Sequence, residues 1–305
     1  EFEALIREHR MLVEHKPPFN RMGVRTERNV WLRLTNESFP RLSIVRERNT
    51  ERGSMHLGPF ASRADAEAAR DCIASQAQVR TCSEALSVRK PKSACALADM
   101  QRCAAPCDHR IDRDAYLGVA QGVMELCDGD AVELCNALES RQQQLAAAQR
   151  FEEAAQVRDR LLAFVLGNAK RQRFERLLEQ PQVVAGQRVV GGWDVHVIRF
   201  ARLAAAGFIP DGTEHASRIS ALVATAEQVP KPVSVNAAYV REANLLSTWL
   251  DKDGVRLIEG TLASKLPSAE PVRLRFAKAL EAHEQAQALA EAERRREFFN
   301  GRRQL

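Results

Sequence analysis

Four cysteines crowd one short stretch of the chain: Cys82, Cys95, Cys103 and Cys107 follow the spacing C-x12-C-x7-C-x3-C within 26 residues. Thiolate is the metal-binding form of cysteine, and in a reducing compartment such a group argues for a metal or redox centre rather than disulfides. Tetrathiolate coordination suits either structural zinc or an iron–sulfur cluster, and the spacing alone does not choose between them. Paired C-x2-C knuckles are absent from this stretch, which leans toward iron–sulfur. Cys72, Cys127 and Cys135 instead fall in helical patterns and read as small buried hydrophobes.

The elements that must position these groups follow from periodicity. Phe2, Leu5, Ile6, His9, Leu12 and Val13 share one face of a helix that should end before Pro17-Pro18. The chain opens inside that amphipathic helix, so it reads as cut from a longer protein whose remaining part covers the apolar face. Asn29–Thr35 and Arg41–Arg46 alternate as two strands of a hairpin around Asn36–Pro40. Gly58-Pro59 reads as a turn, and Ser62 as the N-cap of an Ala-rich helix. Residues 78–110 lack periodicity, as expected of a small loop-rich knot held by something other than a core.

Residues 131–166 contain neither Gly nor Pro, and their stripe of Leu138, Leu145, Phe151, Ala154, Ala155, Leu161 and Leu162 predicts a helical hairpin turning near Gln149-Arg150. Val183–Val190, Trp193–Arg199 and Leu203–Ile209 predict a meander, followed by helices near 216–228, 236–251 and 270–299. The fold class is therefore α+β, mainly helical. The expected divisions are 1–60, a Cys-rich domain at 61–111, a helical region at 112–178 and an α+β domain at 179–305.

Composition narrows the function classes. The 305 residues carry 45 Lys+Arg against 40 Asp+Glu, a net charge of +5. Residues 1–110 hold 19 basic and 14 acidic side chains, which leaves 26 of each beyond them, so the whole excess lies in the first third. A modest basic bias is compatible with a phosphate-rich partner. The arginines Arg41, Arg46 and Arg80 lie in that third and are candidate DNA-phosphate contacts by position and charge. No apolar run approaches the roughly 20 residues needed to span a bilayer, and no leader opens the chain, so a cytoplasmic protein without membrane attachment is expected.

Several segments together resemble one family, UvrC, the incision subunit of bacterial nucleotide-excision repair. They are Glu3-Ala4-Leu5-Ile6-Arg7-Glu8 leading to His15-Lys16-Pro17-Pro18-Phe19-Asn20, then Phe39-Pro40-Arg41-Leu42-Ser43, then Leu57-Gly58-Pro59-Phe60. Arg80-Thr81-Cys82, the cysteine run with Arg102-Cys103 and Pro106-Cys107, and Phe151-Glu152-x-Ala154-Ala155-x-x-Arg158-Asp159 complete the set in the same order. The resemblance covers residues 1–165.

By that resemblance residues 1–20 are the last helix and exit loop of a GIY-YIG nuclease domain. Glu8 is then the ligand of one catalytic Mg²⁺ or Mn²⁺, and Asn20 lies beside the site; such a hard cation suits an oxygen ligand and stabilises charge on the phosphate being cut. The family's two tyrosines and arginine fall upstream of residue 1, so these 305 residues are expected to be catalytically incomplete.

The resemblance also implies an iron–sulfur cluster at the four cysteines, with zinc as the alternative, and damaged double-stranded DNA as substrate. It implies docking on a UvrB-like helicase subunit through Phe151, Glu152, Ala155, Arg158 and Asp159. The last 125 residues depart from the family. The meander's acids are only Asp194 and Asp211, and no second nuclease site of the ribonuclease H type is expected. This pattern is most like the UvrC-like half of fusions in which a DEDD exonuclease precedes the GIY-YIG module. The rival expectation is a non-catalytic adaptor that uses the cysteine knot and the hairpin to recruit DNA or a repair partner.

Overall fold

The computed structural model describes residues 2–15, 17, 29–49, 55–128, 131–262, 281 and 285. Asn20 and the expected helix at 270–299 lie outside the described residues, apart from the isolated positions 281 and 285. The fold is α+β. An amphipathic helix, α1 (Phe2–His15), precedes strands β1 (Val30–Leu34), β2 (Leu42–Val45), β3 (Arg48–Asn49) and β4 (His56–Phe60). β1 pairs antiparallel with β2 as the hairpin expectation requires, Leu34 opposite Leu42 and Trp31 opposite Val45.

β4 closes the other side of the sheet, in the order β2-β1-β4. The expected turn at Gly58-Pro59 is thus the middle of a strand. Proline lacks the N–H of a ladder and is tolerated at a sheet edge, which is where β4 lies. Gly58 there has φ +119, a conformation that favours glycine.

Helix α2 (Arg63–Ala77) starts as its sequence indicates, with the Ser62 hydroxyl accepting from the Asp65 N–H at 3.1 Å. The loop after it carries only α3 (Ala96–Asp99) and a 3₁₀ turn at Pro106–Asp108. Helices α4 (Arg113–Asp128), α5 (Val132–Ala147) and α6 (Phe151–Leu178) follow. The chain then forms β5 (Val183–Val189), β6 (Gly192–Arg199) and β7 (Arg202–Pro210), with α7 (His215–Thr225), β8 (Ser234–Val235), α8 (Ala237–Leu250) and β9 (Val255–Glu259) behind them. The meander is as expected. β9 was not: it joins the far edge of that sheet beside β5, giving the order β7-β6-β5-β9.

Strand alternation lets β1 serve two cores. Val30 and Leu32 point into a core built with α2, α4, α5 and the first half of α6, whereas Trp31 points into a second core with Ile6, Phe174, Leu177 and α8. Cys72, Cys127 and Cys135 are buried in the first core, as read from their helical settings. Burial pushes the Cys127 thiol up to about 12, so it stays protonated and behaves as an apolar side chain. A third, smaller core lies between the meander and α7. No helix among the described residues is long and apolar enough to cross a membrane.

α6 has residues in both larger cores at distant points along its length: Leu161, Phe164 and Val165 near its middle and Phe174, Leu177 and Leu178 at its end. Its middle lies against β4 with no space to spare. A Cβ added at Gly167 would meet the buried Phe60 ring at 2.5 Å. Alanine is the better helix former by about 1 kcal/mol, but a ring enclosed on all sides cannot retreat, and overpacking costs about 1–3 kcal/mol. Gly167→Ala is therefore expected to lower the unfolding free energy measured by urea titration, and adding Phe60→Leu to recover part of the loss.

Candidate cysteine-held centre and hairpin tip

The cysteine loop leaves α2 at Gln78, whose left-handed backbone and N–H to Ala74 O close the helix. Two residues later Arg80 is 1% exposed. Its backbone N–H donates to the Tyr116 hydroxyl at 2.8 Å, and that hydroxyl donates to Pro40 O at 2.9 Å. Its guanidinium donates to Phe39 O at 3.4 Å, to Cys82 O at 3.1 Å and to Glu84 O. Leu42 N donates to Arg80 O at 3.1 Å, tying β2 to the same residue. Arg80 is therefore not the phosphate contact expected from its charge, because a side chain spent on buried carbonyls cannot reach a DNA backbone. Of the other two arginines, Arg46 is exposed and Arg41 is half-buried with Nε 3.2 Å from Glu37 Oε1.

The four cysteines are free thiols. Cys82 and Cys95 are exposed, and Cys103 and Cys107 half-buried. Burial raises the Cys103 thiol pKa, and the neighbouring Cys82, Cys107 and Cys95 add to the rise, so all four sulfurs share one electrostatic neighbourhood around Cys103. Among the described residues, no three His, Cys, Asp or Glu side chains are grouped to hold a metal ion. The backbone between them is closed by Lys92 N to Cys107 O at 2.7 Å, Arg102 N to Leu97 O at 2.8 Å and Ala104 N to Gln78 O at 2.9 Å. Gln101, Ala105 and His109 all take positive φ, three left-handed non-glycine residues in nine positions. Little apolar burial offsets that strain: Ala98, Ala105 and Pro106 are the buried residues of this segment.

Glu8 lies on the exposed side of α1. The opposite side is covered by the C-terminal domain of this same chain, which corrects the expectation that a missing part covers it. Phe2 stacks on Trp249 with centroids 5.4 Å apart and meets His196 edge-on at 5.3 Å. His9 Nε2 lies 2.9 Å from Ala238 O. Arg10 reaches Glu242 through Nε at 3.0 Å and Nη2 at 2.6 Å, and Leu203 O at 2.7 Å. Glu242 is 2% exposed and also accepts from Leu203 N at 2.9 Å, with Arg202 Nη2 3.4 Å away. Sequence reading missed it; the available signal was an acid on the apolar face of α8 shared by Ala243 and Leu246. Asp211, one of the two meander acids, forms a surface ion pair with Arg188.

The hairpin turns where expected, with Gln149 at φ 58 and Arg150 N donating to Leu145 O at 2.9 Å. Its apolar stripe is largely not free for a second pair of helices. Leu138, Leu145, Ala154, Leu161 and Leu162 are buried, α2 and β4 lying against α6. The other face is open: Phe151 is 66% exposed, and Glu152, Arg158 and Asp159 are exposed beside half-buried Ala155. Arg158 Nη2 holds Asp159 Oδ1 at 2.8 Å.

Comparison with known proteins assigns this architecture to a class. Residues 29–126 match the family described as UvrC/Cho excinuclease, middle domain, and residues 133–164 match the UvrB/uvrC motif. The chain thus carries, in order, the middle domain and the UVR motif of the UvrC family. It is similar to a Mycobacterium tuberculosis protein named as a bifunctional exonuclease/endonuclease, 33% identical over 277 residues, 89% of this chain and 42% of that protein. It is also similar to UvrABC system protein C of Pseudothermotoga lettingae, 33% identical over 165 residues (54% of this chain, 29% of the relative). The same protein of Methanospirillum hungatei is 27% identical over 200 residues (66% and 37%). The chain therefore spans less than half the length of these relatives. A match over 89% of the chain takes in most of the C-terminal domain, so the mycobacterial protein shares the part that departs from the UvrC pattern. No solved structure matches.

The α1 interface makes stability depend on pH. Burial among Phe2, Trp249 and the sheet lowers the His196 pKa from 6.5 to about 4, with Asp194 opposing. Below pH 6.5 the unfolded chain takes up a proton that the folded chain refuses, so stability falls as pH drops toward 4. The shift corresponds to at most about 3 kcal/mol. His196→Phe is expected to flatten this part of the stability profile in denaturant titrations run across that pH window.

Proposed function

We propose that the chain is the middle and partner-binding portion of a UvrC-like DNA-repair endonuclease acting on damaged duplex DNA. The observation that carries this reading is the ordered pair of family matches, middle domain then UVR motif, on a structure where the hairpin tip is open. In this reading the four cysteines hold a metal centre, an iron–sulfur cluster or zinc. Four soft sulfur donors suit either.

Glu8 holds the divalent cation of the nuclease site, and α1 carries it on the face turned away from the C-terminal domain. Bound there, a hard cation would polarise a phosphodiester. The chain's own contribution is to fix that helix through Arg10, His9 and Phe2. Asn20 is the accompanying polar group. Arg41 and Arg46 remain the phosphate contacts, since both keep some exposure beside the sheet. The hairpin docks on a UvrB-like subunit through Phe151, Glu152, Ala155, Arg158 and Asp159. These lie on one face of α6 and present an exposed aromatic ringed by charge, the arrangement that anchors helical partners.

A second reading is favoured by one observation. Glu8 is exposed, and no three potential metal ligands are grouped anywhere among the described residues, which suits a non-catalytic adaptor. The two readings part on metal-dependent nicking assayed with the chain in its full-length protein: nicking that Glu8→Gln abolishes supports the endonuclease, and a wild-type protein that binds damaged duplex without nicking it supports the adaptor.

Docking is tested by capture of purified UvrB subunit on the immobilised chain. Phe151→Ala is expected to weaken capture about tenfold or more, as for a central aromatic anchor. Capture equal to wild type would remove the hairpin tip from the interface.

A further inference from the structure

Helices α2, α5 and α6 leave a pocket of about 360 Å³ between them, lined by Cys72 and Ser75 of α2, Leu138 and Arg141 of α5, and Val157 and Arg160 of α6. That volume is within the range of ligand-binding clefts. The floor is apolar, because Cys72 and Leu138 are buried and Val157 half-buried. The Ser75 hydroxyl donates to Cys72 O at 2.8 Å, so its proton is already committed within the chain.

Charge sets this pocket apart. The other arginines of the three helices pair with carboxylates: Arg63 with Glu67, Arg70 with Asp71, Arg158 with Asp159, Arg171 with Asp128, and Arg173 and Arg176 with Asp251. Arg141 and Arg160 have no carboxylate partner among the described residues, and both line the one pocket. Arg141 is exposed and Arg160 half-buried. Two guanidiniums from neighbouring helices over an aliphatic floor suit an anion carried next to an apolar group. The four hairpin residues of the pocket lie within residues 133–164, which match the UvrB/uvrC motif. Val157 is roughly 9 Å along α6 from Phe151 and adjoins Arg158, so one helix laid along the hairpin reaches both places.

We infer that this pocket is a second docking point for the UvrB-like subunit, taking from one of its helices an apolar side chain on the floor and a neighbouring carboxylate between Arg141 and Arg160. The inference rests on the proposed docking of the hairpin tip and deepens it: it names the chemistry of the partner segment and brings α2 of the middle domain into the interface. A DNA phosphate fits less well, since it is strongly hydrated and has no apolar part to fill the floor.

The test is capture of purified UvrB subunit on the immobilised whole chain. Arg160→Glu is expected to weaken capture about tenfold or more, as for a desolvated charge pair. Arg141→Glu, at an exposed position, is expected to weaken it about two- to fivefold. The lysine variants at both positions should fall between the glutamate variants and wild type, a graded response to charge that a loss of packing alone would not give. Capture unchanged by either glutamate variant but weakened by Phe151→Ala overturns the pocket assignment and leaves tip docking intact. A wild-type chain that captures no UvrB subunit overturns both.

One measurement needs no variant. Phenylglyoxal modifies accessible arginines, and mass spectrometry of the wild-type chain reads each site. Saturating UvrB subunit should slow modification of Arg141 and Arg160 several-fold, and damaged duplex alone should leave it unchanged. Protection by duplex alone, or none with bound UvrB subunit, overturns the assignment.

Discussion

A buried guanidinium bonded to backbone carbonyls sits where the first sheet, α4 and the cysteine loop meet. Arg80 can occupy that position only if its desolvation is offset, and its acceptors come from two separate stretches of chain, Phe39 on one side and Cys82 with Glu84 on the other. Tyr116 adds a third, joining Arg80 N–H to Pro40 O. Removing any partner leaves a buried polar group unsatisfied, so the network fixes where the cysteine loop begins. Beyond Glu84 that control runs out. Residues up to 110 have little core of their own and several left-handed turns.

The second organising element is α6, which belongs to the first core at its middle and the second at its end. Because β1 also divides its side chains between those cores, the family's middle domain and the C-terminal domain are packed as one body. α1 is clasped to the C-terminal domain by Arg10–Glu242 and by the Phe2, His196 and Trp249 rings. The helix bearing Glu8 is thereby oriented by a domain far away in sequence. The hairpin tip has the opposite character. Its inner stripe is absorbed into the first core, leaving Phe151 and its flanking charges exposed.

Much of the fold was legible because it is local. The β1–β2 hairpin, the Ser62 cap, the meander and the turn at Gln149 each follow from a period or a cap within a dozen residues. β4 was hidden because Gly58-Pro59 carries a turn signature, and only the sheet order shows that the proline sits at an edge. β9 was missed for a similar reason: its place beside β5 is set about seventy residues away, in a pairing such as Arg256 with Gly186. The buried cysteines of the first core and the clustered cysteines of the loop were separable by pattern. Arg80 was not. Charge marks an arginine as a surface group, and its burial follows from carbonyls and a tyrosine that sequence spacing does not bring together. The cover on α1 was illegible for the same reason, since Glu242 lies 232 residues from Arg10.

In the proposed reading, thiolate-bound metal rather than apolar packing orders the chain between Cys82 and Arg110. Amide hydrogen exchange of the whole chain, metal-loaded and chelator-treated, addresses it most directly. The account predicts that loading protects residues 82–110 while α2, α6 and the meander exchange alike in both forms. Equal protection of 82–110 with and without metal would contradict it.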